Sequence, residues 1–239
     1  VREKRPDFLF LAEAYWDLEW DLQQQGFDFC YDKRLYERLA HGQAESVRAH
    51  LTASPGYQQR LVRFIENHDE PRAASVFPDH RARAAAVVIS TLPGARLYQE
   101  GQFAGARVKL PVQLGRRPLE PPDASLRDFY AKLLNAAREH CGGEWRLCDV
   151  QGWADNQSCR NLVAWTWQAE SMRTLVVVNL SGAPSQGRVR VAWPDAGGRR
   201  WRLRDPVNGD VWERSGDEIG EAGLFVALEA WGFHLLTFD

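Results

Sequence analysis

Leu61-Val-Arg-Phe-Ile-Glu-Asn-His-Asp69 is a short, largely apolar run that ends abruptly in a polar, acid-tipped turn. A run of this length without polar alternation reads as a strand buried on both faces, the kind found in parallel sheets. Three more runs on either side have the same character. They are Phe8-Leu-Phe-Leu-Ala12 just before Glu13, Phe27-Asp-Phe-Cys-Tyr31, and Arg96-Leu-Tyr-Gln99 behind Pro93-Gly94. Helical stretches fall at 33–40, 47–51, 79–92 and 125–140. The third is Ala-rich and halts at Pro93-Gly94, a helix stop. The fourth puts Leu126, Phe129, Leu133, Leu134 and Ala137 on one face and is followed by Gly142-Gly143. Alternation of this kind predicts a parallel sheet with right-handed crossovers over residues 1–143.

From Glu144 onward the period changes to two. Strand-like segments at 162–167, 173–179, 187–193, 201–204, 210–214, 224–228 and 234–238 are separated by Ser181-Gly182, Gly197-Gly198 and Asn208-Gly209. This predicts an antiparallel β-sandwich over residues 144–239.

Composition excludes several classes. The 239 residues carry 30 basic and 32 acidic groups, a formal charge of −2, with no basic block to attract nucleic acid or an anionic membrane. No apolar run approaches the roughly 20 residues of a membrane span. The cysteines at 30, 141, 148 and 159 have no metal-knuckle spacing and read as buried thiols rather than as a zinc site with His140. Ten tryptophans serve core packing, with a few available to stack on sugar rings. GxSxG, GxGxxG, P-loop and HExxH patterns are missing, so serine-hydrolase, dinucleotide, nucleotide and zincin chemistry find no support. The chain opens on Val1-Arg-Glu-Lys-Arg-Pro6 without Met or leader, and it is expected to be a piece of a longer protein. No compartment signal is present; a cytoplasmic location is favoured.

Two carboxylates stand apart because each follows a buried strand: Glu13 after Phe8–Ala12, and Asp69 after the run from Leu61. Side chains at the carboxyl ends of parallel strands converge on one rim, where ligands bind. A helix cap or a structural ion pair would explain either residue equally well on position alone.

The surrounding words narrow the choice. Phe64-Ile-Glu-Asn-His-Asp-Glu-Pro-Arg72 resembles the fourth conserved motif of the alpha-amylase family, and Phe10-Leu-Ala-Glu-Ala-Tyr15 resembles its third. Gly26-Phe-Asp-Phe-Cys-Tyr-Asp32 is similar to that family's sixth barrel strand. Leu92-Pro-Gly-Ala-Arg-Leu-Tyr-Gln-Glu-Gly-Gln102 is similar to its passage into the eighth. The resemblance covers essentially the whole chain. It implies the C-terminal half of a TIM (β/α)8 barrel, strands five to eight, followed by the β-sandwich.

The resemblance also implies roles. Glu13 would be the general acid/base, and Asp69 the transition-state stabiliser that grips the sugar's 2- and 3-hydroxyls, with His68 bonded to the same sugar. Asn67 and Arg72 would orient Asp69, with a surface position the equal alternative for Arg72, and Tyr15, Trp16, Tyr31 and Phe103 would line the groove. His50 and His234 read as ordinary surface or sandwich residues. The family's Arg-x-Asp nucleophile has no counterpart here and is expected upstream. The implied function is that of a retaining glycoside hydrolase acting on α-glucosidic bonds of α-glucans or maltooligosaccharides. An α-glucan transglycosylase and a non-catalytic carbohydrate-binding or interaction module are the alternatives. No cofactor or metal is expected, with calcium an option only for an intact parent. Half a barrel leaves open strand edges and unpartnered inner faces, so self-association or a missing N-terminal half is the expected partner.

Overall fold

The computed structural model describes residues 1–15, 17–78, 80–113, 115–170 and 172–239. Four parallel strands, β1 (Leu11–Ala12), β2 (Phe29–Tyr31), β3 (Leu61–Arg63) and β4 (Ala95–Arg96), pair in chain order. They form an arc, not a closed ring. The strands are shorter than the apolar runs that announced them. Phe8 and Leu9 lie outside β1 and are exposed, whereas Phe64 and Ile65 continue past β3 as buried, non-ladder backbone. Helices Lys33–His41, Ala44–Leu51, His80–Thr91 and Ala124–His140 stand where the periodicity placed them; the expected start at Asp79 lies outside the described residues. Short helices at Glu19–Gln24, Pro55–Gln58, Ala73–Val76 and Gly216–Ala222 were not foreseen.

An eight-stranded antiparallel sheet follows. Its strands are β5 (Glu144–Gln151), β6 (Leu162–Ala169), β7 (Met172–Asn179), β8 (Ser185–Arg190), β9 (Arg200–Arg204), β10 (Val211–Ser215), β11 (Leu224–Leu228) and β12 (Phe233–Phe238). Their order is β10-β9-β12-β7-β6-β5-β8-β11, curled around a core of its own. The central strands are buried on both faces. Leu162, Ala164, Leu175 and Val177 point into that core. Val163, Trp165, Trp167, Val176 and Val178 point the other way, into one continuous cluster with the helices of the parallel layer. Trp167 Nε1 donates to Thr91 O at 2.7 Å across this seam.

The expectation of unpartnered inner faces is corrected at β3, where Leu61, Val62 and Arg63 are all buried. Apolar exposure gathers instead at the β1 end, on Phe8, Leu9, Leu11, Leu18 and Trp20.

A charge lies inside this packing. Arg63, with no exposed surface, pairs with Asp32 at the tip of β2 and donates to Pro93 O at 3.2 Å ahead of β4 and to Gln58 Oε1 at 2.5 Å. His50 Nε2 stands 3.0 Å from Asp32 Oδ2, the same oxygen that Arg63 contacts. His50 is therefore neither a surface nor a sandwich residue: the helix Ala44–Leu51 carries it down to a buried carboxylate. Although burial opposes ionisation, the Arg63 charge and the His50 contact hold the Asp32 carboxyl down at about 2.

Asp32→Asn should leave Arg63 uncompensated and destabilise the chain by about 3–5 kcal/mol in urea titrations near neutrality. A carboxyl whose folded pKa lies below its unfolded value stabilises fully above the latter. The wild-type advantage over Asp32→Asn should therefore persist down to about pH 4 and fade as the pH drops through about 2. Since the helices and the curled sheet share one core, far-UV and near-UV signals should lose structure in a single coincident transition. Two separated transitions would show that the seam does not couple them.

Candidate active site

β1 ends at Ala12, which puts Glu13 at its carboxyl tip. Beyond β3 the chain runs through Phe64, Ile65, Glu66 and Asn67, all buried, before His68 and Asp69 emerge into solvent. Two devices shape this emergence. Asn67 Oδ1 accepts from the amides of Asp69 (2.9 Å) and Glu70 (2.8 Å), a side-chain turn that mimics a backbone one. Glu66 Oε2 accepts from Ala73 N at 2.5 Å, and Arg72 Nη2 lies 2.9 Å from Glu66 Oε1, so both ends of the turn are tied to one buried carboxylate. Arg72 also donates to Glu100 O at 2.9 Å. Gly101 makes room for it: its φ is +90°, and a Cβ there would sit 2.7 Å from Arg72 Nη2. Burial pushes the Glu66 carboxyl up to about 7 against the pull of the Ala73 amide and of Arg72.

Glu13, His68 and Asp69 converge at the strand tips. His68 Nε2 is 3.7 Å from Glu13 Oε1 and 3.6 Å from Asp69 Oδ2, and the three donor atoms lie within 4.8 Å of one another. The side chains are 35%, 44% and 58% exposed in that order, so the trio is open to a ligand. The Tyr15 hydroxyl donates to Glu13 Oε1 at 2.8 Å. Burial, then the hydrogen bond to Glu13 and the nearby negative charges, push the Tyr15 phenol well above its ordinary value, so it remains a donor. Tyr31 is pushed up by burial, with smaller contributions from the charges of Glu13 and Asp69. A hollow of about 310 Å³ adjoins Asp69, bounded by Tyr15, Lys33, Arg34 and Glu70, with Lys33 and Glu70 paired across it. Lys109 donates to the Asp69 carbonyl.

Chemically, the strand tips present two carboxyl groups to solvent with the His68 imidazole 3.7 Å from one and 3.6 Å from the other. The same trio is, among the described residues, the group of His and carboxylate atoms placed closely enough to hold a cation.

The other expected site residues are distributed differently. Asn67 is 1% exposed and its oxygen is engaged by the Asp69 and Glu70 amides in the turn. Arg72 is not on the surface; it is 6% exposed and pairs with the buried Glu66 carboxyl. Tyr31 is buried with its ring 5.3 Å from that of Phe64 and forms floor rather than stacking platform. Phe103 packs against Tyr98 and Tyr130, with ring centroids 5.2 and 4.6 Å away. Trp16 lies outside the described residues. Burial raises the thiols of Cys141 and Cys148 to about 12, and both stay protonated. The Glu66–Arg72 tie and the Asp32–Arg63–His50 cluster escaped sequence reading. Their visible signal was a charged residue, Arg63 or Glu66, set inside an apolar run, which burial obliges to find a partner.

No family model matches the chain. Alpha-amylase MalA of Haloarcula japonica is 26% identical over 197 residues, which cover 77% of this chain and 28% of that protein. Among solved structures, the alpha-amylase of Geobacillus thermoleovorans, determined with acarbose, matches with a TM-score of 0.74 at 16% identity, over 100% of this chain and 55% of that one. The noncanonic maltogenic alpha-amylase AmyB of Thermotoga neapolitana matches at 0.73 and 15%, over 99% and 57%. The chain thus spans about half the length of these solved structures and under a third of the curated relative. Strand order and pairwise similarity agree on the fold: the chain is similar to the C-terminal half of these alpha-amylases, the second half of a (β/α)8 barrel with the β-sandwich behind it.

Proposed function

We propose that the chain contributes the acid/base, Glu13, and the sugar-gripping carboxylate, Asp69, to a retaining glycoside hydrolase that cleaves α-glucosidic bonds in α-glucans or maltooligosaccharides. The convergence of Glu13, His68 and Asp69 within 4.8 Å supports this reading. Protonated Glu13 donates to the leaving glycosidic oxygen, then as carboxylate takes a proton from the water that releases the sugar. Tyr15, bonded to Glu13 Oε1, fixes which carboxyl oxygen is free to face the substrate. Asp69 accepts hydrogen bonds from ring hydroxyls, and its negative charge favours the oxocarbenium-like transition state, while His68 reaches the same sugar.

The covalent step needs one more carboxylate, about 5–5.5 Å from the acid across the sugar. On this reading it arrives on a strand that pairs with the open edge of β1, next to exposed Phe8, Leu9 and Leu11. That strand is the partner the half-barrel calls for.

In a polypeptide that joins this chain to such a strand, Glu13→Gln should lower kcat on maltoheptaose by about 10²–10⁴-fold. Asp69→Asn should lower kcat with little change in KM, since it acts on the transition state. Proton NMR should show α-anomeric products at first release. Products longer than the substrate would identify transfer as the main reaction, and a Glu13→Gln variant of full activity would overturn the assignment.

The 239-residue chain alone should show no turnover of a nitrophenyl α-glucoside, since it lacks a group to form the covalent intermediate. Turnover by the purified chain that disappears in Glu13→Gln would contradict the division of roles.

A further inference from the structure

A hollow of about 970 Å³ shares no lining residue with the one beside Asp69. It opens between the helices His80–Thr91 and Ala124–His140 on one side and the turns that join β9 to β10 and β11 to β12 on the other. Phe129, Trp231 and Phe233 supply its aromatic surface, with the two phenylalanine rings edge-on at 5.8 Å. The polar lining is mixed in sign. Asp128, Asp210 and Glu229 are set against Arg83 and Lys132, with the imidazoles of His80 and His234 among them. A phosphate or polyanion would meet three carboxylates there, and a polycation would meet the opposite charges. A neutral polyol suits the balance, since each hydroxyl both donates to carboxylates and accepts from cations. Its apolar C–H faces suit the aromatic surface, and the volume lies at the upper end of small-ligand sites.

Trp231 adds an independent mark. Its φ is +56°, in the left-handed region where a bulky side chain is rare. Its amide is held by Ser181 O at 3.0 Å. Arg81, which does not line the groove, lies 4.9 Å over the indole while donating to Leu39 O and Ala40 O. A glycine or asparagine would adopt this backbone with less strain. Strained backbone that persists under such bracing is characteristic of ligand clamps.

We propose that this groove is a second carbohydrate-binding site that takes a segment of α-glucan with a sugar ring against Trp231. The choice of α-glucan rests on the function proposed above; the groove and its braced tryptophan do not. Two sites on one polymer raise the effective concentration of the chain at the cleaving carboxylates.

The test is affinity electrophoresis of the 239-residue chain in gels cast with amylopectin, with calorimetric titration of maltoheptaose. The wild type should be retarded. Trp231→Gly, which suits φ +56° and whose fold an unchanged melting transition verifies, should weaken binding by at least about tenfold. Lys132→Ala and Asp210→Ala should weaken it by a few-fold. The Glu13→Gln/Asp69→Asn double variant should keep the retardation that depends on Trp231. Unchanged retardation in Trp231→Gly, or no binding by the wild-type chain, overturns the proposal. Loss of binding in the double variant alone overturns it too, while leaving the cleavage reading intact. Binding that depends on Trp231 in a chain whose parent cleaves no glucan upholds the groove and removes the reaction.

Discussion

Arg63 has no contact with solvent, and a guanidinium so placed must find all its partners inside the fold. It finds them on three sides: Asp32 at the end of β2, Gln58 ahead of β3 and the Pro93 carbonyl ahead of β4. A point contact between apolar side chains tolerates sliding, but a buried fork of directed hydrogen bonds does not. The register of β2, β3 and β4 is therefore held by one side chain, and His50 extends the hold to the helix Ala44–Leu51 through the same carboxylate. β3 runs straight into Glu66–Asp69, so whatever fixes β3 fixes the height at which Asp69 leaves the sheet.

A second buried charge completes the placement. Glu66 has Ala73 N and Arg72 as partners, and Arg72 carries the hold onward to the Glu100 carbonyl. Between these anchors only His68, Asp69 and their neighbours in the turn reach the surface. Apolar residues of similar volume could fill the space under the turn with no loss of stability. What they would not supply is direction, and an electrostatic site works only when its charges are already in place as the reaction proceeds. The polar underlayer thus gives the turn that carries His68 and Asp69 a direction that apolar packing would not.

Much of this architecture was legible. The unbroken run Leu61–Ile65 announced a doubly buried strand, and β6 and β7 alternate into two cores in the manner that period two predicts. The segment Glu144–Gln151 was missed for a physical reason. It pairs with β6 through Cys148 and with β8 from Asp149, and its buried positions change parity between Leu147 and Cys148. A strand that crosses between partners loses the regular alternation by which strands are read. Glu13 and Asp69 stood out by strand-end position together with motif words, and the structure brings them together with His68. Arg72 and His50 were misread because charge in a sequence says nothing of depth: each looks solvent-seeking until the fold sets a carboxylate beneath it. Trp231 was equally hidden, since positive φ has no sequence mark when the residue is not glycine.

The burial gradient across the parallel sheet connects fold to chemistry. At β3 every residue is sealed by helices that in turn lean on the β6–β7 face through Trp165 and Trp167. At β1 the covering thins, and Phe8, Leu9 and Leu11 face outward beside an unpaired edge. Glu13 sits at this thin end and Asp69 at the sealed end. The Glu13 side chain is nonetheless the more enclosed of the two, 35% exposed against 58% for Asp69, because Asp69 rides on a turn that leaves the buried strand for solvent. A strand added along β1 would cover the exposed leucines and phenylalanine, deepen the surroundings of Glu13 and bring its own tip level with it. On the proposed function, burial of this apolar surface and completion of the site would be one event, at the edge where Phe8, Leu9 and Leu11 meet water.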